Sequence, residues 1–146
     1  MKKNILITGA AGFIGHQLVH KFLSETDHNV VIMDRLDTSG NLNRIREVLD
    51  INTDWEKRVK FVWHDLKAPV NEVLSNQIGK VNYIFHLAAG SHVDRSIEYP
   101  MEFIMDNVVG TANLLDYARL HLKEHLELFL YFSTDEVFGP APEGVA

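Results

Sequence analysis

Five short apolar runs, at 4–8, 29–33, 59–63, 81–87 and 127–132, punctuate the chain, and each is continuous instead of alternating. Runs of that length and texture are how strands covered on both faces read, because a strand with one wet face alternates polar and apolar positions. The segments between them carry a helical period. Ile14, Leu18 and Phe22 mark one face, Leu42, Ile45 and Leu49 a second, and Val70, Val73, Leu74 and Ile78 a third. The longest, from about Met101 to His125, sets Ile104, Val108, Ala112, Leu115, Ala118 and Leu122 on one stripe, with Pro100 placed to start a helix. Strand and helix in alternation join by right-handed crossovers. The pattern therefore predicts an α/β fold, a doubly wound parallel sheet in the order 3-2-1-4-5, as one domain over residues 1–146.

Such a sheet binds ligands beyond the carboxyl ends of its strands. The first of these ends is Thr8-Gly9-Ala10-Ala11-Gly12-Phe13-Ile14-Gly15, where strand must become helix within a few residues. Gly9 lets the backbone reverse, Gly12 lets it approach a diphosphate, and Gly15 lets the helix lie close to the sheet. The amides around Ala11, Phe13 and Ile14 and the positive end of the helix then face the phosphates. The second run ends in Asp34, about 20 residues past Gly15, the place of a carboxylate that hydrogen-bonds a ribose diol. That carboxylate repels a 2′-phosphate, whereas Arg35 beside it can hold one; Asp34 at the strand end weights the reading toward NAD over NADP. Leu36, Ser39 and Gly40 complete the loop on the cofactor side.

Composition removes several alternatives. A formal charge of −6 argues against a nucleic-acid surface, and the one dense basic stretch, Lys57-Arg58-Val59-Lys60, reads as a solvated edge. The absence of cysteine excludes disulfides and thiolate metal sites. No apolar stretch approaches a membrane span, and the expectation is a cytoplasmic protein with no membrane partner. Among the eight histidines, His16/His20 and His121/His125 each stand at i, i+4, but neither pair carries the Glu of a zinc-binding H-E-x-x-H, and no metal site is expected.

The motifs together resemble the extended short-chain dehydrogenase/reductases, and within them the nucleotide-sugar 4,6-dehydratases. They are the Gly9–Gly15 turn, Asp34-Arg35-Leu36 leading to Gly40-Asn41-Leu42, His64-Asp65-Leu66, His86-Leu87-Ala88-Ala89 with Ser91-His92-Val93-Asp94-Arg95-Ser96, Asn107-Val108-Val109-Gly110-Thr111, and Ser133-Thr134-Asp135-Glu136-Val137-Phe138-Gly139. The resemblance covers the whole chain but only the N-terminal half of such an enzyme. It implies a Rossmann domain with NAD, Asp65 and Leu66 at the adenine, Leu87, Ala88, Ala89 and Ser133 along the cofactor, and Ser91 and His92 at a nucleotide-sugar. It further implies that Thr134 holds the sugar's 4-hydroxyl, Asp135 is the acid, Glu136 the base, and the enzyme a homodimer. Chemistry agrees with the last triplet, since removing water from a hexose needs one group to take the C5 proton and another to protonate the leaving C6 hydroxyl. A plain Asp-Glu pair opening a loop is the other reading of those residues.

Two departures stand out. Gly90 replaces an acidic residue usual in the resembling enzymes. Their Tyr-x-x-x-Lys pair is missing, because Tyr83, Tyr99, Tyr117 and Tyr131 are followed at that offset by Leu87, Phe103, His121 and Asp135. The chain is therefore expected to be the cofactor-binding part of a longer enzyme, inactive alone. A 4-epimerase or decarboxylase of the same superfamily shares this half without the Asp-Glu pair, and a non-catalytic NAD-binding module is the third possibility. His16, in place of a smaller residue, is expected to crowd the diphosphate, and the stripe Ile104, Val108, Ala112, Leu115 to lie bare.

Overall fold

In the computed structural model, which describes residues 1–139 and 144, five strands form one parallel sheet. They are β1 (Asn4–Thr8), β2 (Asn29–Asp34), β3 (Val59–Trp63), β4 (Tyr83–His86) and β5 (Leu128–Tyr131). Their order, β3-β2-β1-β4-β5, is the predicted one. β1 lies at the centre, with Ile5 opposite Val30 on one side and Tyr83 on the other. Six helices connect or follow the strands: α1 (Gly15–Glu25), α2 (Leu42–Ile51), α3 (Glu72–Ile78), α4 (Val93–Glu98), α5 (Pro100–Ile104) and α6 (Gly110–His121).

Successive strand residues point to opposite faces, and this sorts the core into two layers. Ile5, Ile7, Val30 and Ile32 pack with Val19 and Leu23 of α1 and Ile45 and Val48 of α2. Leu6, Val31, Met33 and Ile84 pack on the other face with Ile78 of α3 and Leu114, Tyr117 and Ala118 of α6. Both faces are dry, so the strands read as unbroken apolar runs. Each fully buried Ile or Leu contributes about 1.5–3 kcal/mol, which makes these two layers the main stabilising term. The outer strands depart from the pattern. Phe61 and Trp63 of β3 and Leu128, Leu130 and Tyr131 of β5 are exposed, because an edge strand has a neighbour on one side only.

Helix faces are displaced from the periods marked in the sequence. α1 buries Gly15, His16, Val19 and Leu23, with Leu18 and Phe22 at the flank and Ile14 exposed at the N-cap. The close packing of Gly15 on the turn fixes that rotation. Val73, taken as part of the α3 face, is exposed, while Val70 is buried before the helix begins. The long helix expected over 101–125 runs unbroken from Pro100 to His121 as α5 and α6, joined by a π-helical turn over Met105–Val109. A π turn closes one residue later than an α turn and so rotates everything beyond it. Leu114, Tyr117, Ala118 and Leu122 beyond it face the sheet, whereas Ile104, Val108, Ala112 and Leu115 face outward, so Ala118 and Leu122 part from the rest of the expected stripe. Among the described residues no helix is long and apolar enough to cross a membrane.

Candidate functional site

The carboxyl ends of all five parallel strands lie on one edge of the sheet, and the Gly-rich turn sits at the middle of it. Gly9 adopts φ +67°, and a Cβ there would stand 2.7 Å from the Ala88 amide nitrogen, so no other residue fits. At Gly15 a Cβ would meet the Gly9 carbonyl oxygen at 2.2 Å. The turn is closed by the Gly12 N–H donating to Gly9 O (3.1 Å) and the Gly9 N–H to Met33 O (2.9 Å). Among the described residues the N–H groups of Phe13 and Ile14 have no acceptor, and both residues are exposed. Two unpaired amides at a helix start form a cradle for an anion. His16 does not project into it: the ring is 9% exposed, with Nδ1 on the Gly12 carbonyl (2.9 Å) and Nε2 accepting from Gln17 (2.8 Å).

Asp34 ties this turn to the next loop. The residue is 8% exposed, its Oδ2 accepting from the Ala11 N–H (2.9 Å) and Oδ1 from the Leu36 N–H (2.8 Å). A carboxylate offers about four acceptor positions, which leaves room for two hydroxyl donors. Leu36 takes φ +57°, the left-handed conformation that lets the chain turn back over Asp34. Gly40 completes the fold-over, since a Cβ on it would press within 2.7 Å of Asp34 Oδ1. Arg44, a residue that the sequence did not single out, clamps the two loops by donating to Ala11 O (3.1 Å) and Ser39 O (2.8 Å).

Arg35 leads away from Asp34 into a cluster of charges. Its Nε donates to Asp37 Oδ2 (2.7 Å), and its two terminal nitrogens grip both oxygens of Asp106 (2.5 and 2.8 Å). Asp65 stands 3.6 Å from the same guanidinium, and Lys67 3.2 Å from Asp106. The hydrogen bond to Asp106 raises the Arg35 pKa further above its ordinary value. Burial pushes the Asp106 carboxyl up, but the bonds and charge of Arg35 and Lys67 outweigh it and hold the group below the usual carboxylate range. Asp65 also accepts from the Lys67 N–H (3.0 Å). Leu66 points into the core, 7% exposed and against Gly110.

Beyond β4 the wiring is polar and buried. His86 is wholly enclosed, with Nδ1 2.7 Å from Thr8 Oγ1 and Nε2 2.9 Å from Thr111 Oγ1. Burial pushes its pKa down to about 4, and a neutral ring, which donates at one nitrogen and accepts at the other, fits both hydroxyls. Thr8 Oγ1 also accepts from the Ala88 N–H (3.3 Å), and the Leu87 N–H reaches Thr8 O (3.2 Å), so β1 carries the loop after β4. Asn107, on the π turn, holds that loop from above: its Oδ1 accepts from the Gly90 N–H (2.7 Å) and its Nδ2 donates to Gly90 O (3.0 Å). A side chain at Gly90 would require the Phe103 ring to shift by a few tenths of an ångström. A Cβ there would lie 3.0 Å from the Phe103 ring and 3.4 Å from Asp106 Oδ2.

Ala89, Ser91 and His92 are exposed beside it, His92 capping α4 through the Arg95 N–H (3.4 Å). Ser133, Thr134, Asp135 and Glu136 follow β5, all exposed, with Thr134 Oγ1 accepting from the Glu136 N–H (3.2 Å) at the start of a 3₁₀ turn over Asp135–Phe138. Topology thus brings the triplet to the same sheet edge as the Gly-rich turn and Asp34. Sequence reasoning missed Arg44, Asp106 and the roles of His86 and Asn107, whose partners are distant in the chain and leave no local signal.

A doubly wound sheet with a glycine-rich turn and a buried carboxylate at the end of β2 is the architecture of a dinucleotide-binding domain. A family model described as GDP-mannose 4,6 dehydratase matches residues 6–145, and the chain belongs to that family. It is 38% identical over 146 residues to a dTDP-glucose 4,6-dehydratase of Neisseria gonorrhoeae, a match covering 94% of this chain and 40% of the relative. The chain therefore spans about 40% of the length of that relative. Among solved structures it resembles the dTDP-glucose 4,6-dehydratase of Streptomyces venezuelae with NAD and TYD bound, at TM-score 0.81 and 33% identity, covering 97% of this chain and 42% of that one. The UDP-Glc/GlcNAc 4-epimerase of Campylobacter jejuni matches at TM-score 0.80 and 29% identity, over 94% of this chain and 39% of its own.

Proposed function

We propose that this chain is the NAD-binding part of a nucleotide-sugar 4,6-dehydratase of the dTDP-glucose type. The observation that carries the reading is the placement of Thr134, Asp135 and Glu136 at the end of β5, on the sheet edge that also holds the Gly9–Gly15 cradle and Asp34. The residues fit the cofactor: the Phe13 and Ile14 amides suit a diphosphate, and Asp34, with acceptor positions to spare, suits an unphosphorylated ribose diol. When bound, NAD supplies reversible oxidation at the sugar's C4. The protein's own part is positioning and proton transfer, with Thr134 on the 4-hydroxyl, Glu136 taking the C5 proton made acidic by the neighbouring ketone, and Asp135 protonating the departing C6 hydroxyl. Ser91 and His92 border the sugar, and Asp65, Leu87, Ala88, Ala89 and Ser133 flank the cofactor, with the Leu66 side chain turned into the core behind them.

The binding half of this reading is tested on the chain itself by calorimetric titration with NAD and NADP, NAD binding more tightly. The catalytic half is tested in the full-length gene product with dTDP-glucose. Asp135→Asn and Glu136→Gln should each slow dehydration by about 10²–10⁴-fold, the usual worth of acid–base assistance, while the early absorbance change of cofactor reduction persists. Parental dehydration rates in both variants would make the pair an ordinary loop opening. The 4-epimerase reading, favoured by the likeness to the Campylobacter jejuni enzyme, would then replace this one. The outward stripe Ile104, Val108, Ala112 and Leu115 suits a second copy of the chain, as a homodimer would bring.

A further inference from the structure

We propose that Asp106 and Asp37 are specificity-determining residues that keep the Arg35 guanidinium off a 2′-phosphate, so that cofactor choice is shared between Asp34 and a residue of the π-helical turn. The inference rests on the NAD reading and deepens it. Arg35 directly follows the carboxylate that faces the ribose diol, the position from which an arginine accommodates the extra phosphate of NADP. An arginine does so with its planar fork of N–H donors, bidentately. Here that fork already has an occupant. Both oxygens of Asp106 take the two terminal nitrogens and Asp37 takes Nε, with Asp65 facing the remaining edge at 3.6 Å.

Geometry reinforces the grip from the far side. Asp106 has an 11% exposed side chain and is held by Lys67 as well. Gly90 lies beside it, a Cβ there standing 3.4 Å from Asp106 Oδ2, an ordinary contact distance. The sum of charges points the same way. Four carboxylates, Asp34, Asp37, Asp65 and Asp106, surround two cations, Arg35 and Lys67, so a phosphate dianion entering here meets net negative charge and no free fork. Cutting the carboxylate at 106 frees Lys67 and the two terminal nitrogens of Arg35 from their shared partner, leaving Asp37 as the main hold on the guanidinium. The exposed Asp37 can be cut with little risk to folding.

The test is a double-mutant cycle on this chain, read as the ratio of NADP to NAD dissociation constants by calorimetry. Asp106→Asn, alone and with Asp37→Asn, should shift that ratio toward NADP by about tenfold or more, the size of one charge-assisted hydrogen bond gained. Adding Arg35→Leu to either background should erase the shift. Asp37→Asn alone gives a second reading if Asp106→Asn proves poorly folded by circular dichroism, and a shift there that Arg35→Leu erases supports the same assignment. A wild-type chain that binds NAD, with ratios unchanged in the folded variants, overturns this proposal and leaves the NAD reading standing. A wild-type chain that binds neither cofactor overturns both.

Discussion

Lowering the pH should destabilise the fold through one residue in particular, His86. The ring is fully enclosed between β1, β4 and α6, and burial holds its pKa near 4, against 6.5 when exposed. In the unfolded chain it takes up a proton at about 6.5, whereas in the fold it stays neutral until about 4. The unfolded state therefore binds more protons between those values, and stability falls as pH falls through that window. Above 6.5 the contribution is fully present, and below 4 the loss is complete. Integrated from pH 7.5 to 4.5, a shift of this size amounts to about 2–3 kcal/mol, a large share of what a domain possesses. Urea unfolding across that range would measure it, with His86→Gln as the reference, since the amide keeps one donor and one acceptor but does not titrate. The variant should be less stable at pH 7.5, by about 1–3 kcal/mol for imperfectly met hydroxyls of Thr8 and Thr111, yet lose less on acidification. Parallel stability curves for the two proteins would refute the argument.

Two further outcomes follow from the geometry. Gly15→Ala drives a Cβ to 2.2 Å from Gly9 O and should lower stability by about 1–3 kcal/mol or more, whereas Gly12→Ala, whose Cβ meets the same oxygen at 3.0 Å, should fold better and still weaken NAD; equal melting temperatures would count against the packing account. The outward face bearing Ile104, Val108 and Leu115 should drive self-association that sedimentation detects and Val108→Glu with Leu115→Glu abolishes, and a concentration-independent wild-type monomer would contradict it.

The strands and the glycine turn were legible because each depends on neighbours close in sequence, strand periodicity and a tight turn, and the sheet order followed from the handedness of the crossovers. What depended on tertiary rotation was not. In the helix after β4 the stripe Ile104, Val108, Ala112 and Leu115 lies bare, but Ala118 and Leu122, set on the same stripe by a fixed period, face the sheet with Leu114 and Tyr117 beyond the π turn at Met105–Val109. α1 shows the same limit on a smaller scale, its rotation set by how Gly15 seats on Gly9 and Ala10. Of the site, Arg35 was visible as a charge beside Asp34, but its pairing partner lies 71 residues away. Arg44 reaches Ala11 across 33 residues and His86 reaches Thr8 across 78, contacts that no local pattern encodes.

Those long-range bonds also explain how exposed loops can serve as a binding surface. A loop ordered only when ligand arrives charges its entropy against affinity, and bracing it beforehand avoids that loss. The cofactor edge is braced at each loop by a side chain from another element: Asp34 and Arg44 on the Gly-rich turn, Thr8 on Ala88, Asn107 on Gly90. Thr134, Asp135 and Glu136 have no such brace among the described residues beyond the local Thr134 contact, and they stand in solvent. Preorganisation therefore belongs to the dinucleotide side of the edge. The two carboxylates differ from it in kind, because they stand in solvent and no contact among the described residues fixes their side chains. Dividing the proposed acid and base roles between them requires a substrate or a further protein surface against one of the two, whereas the proposed dinucleotide loops are already braced.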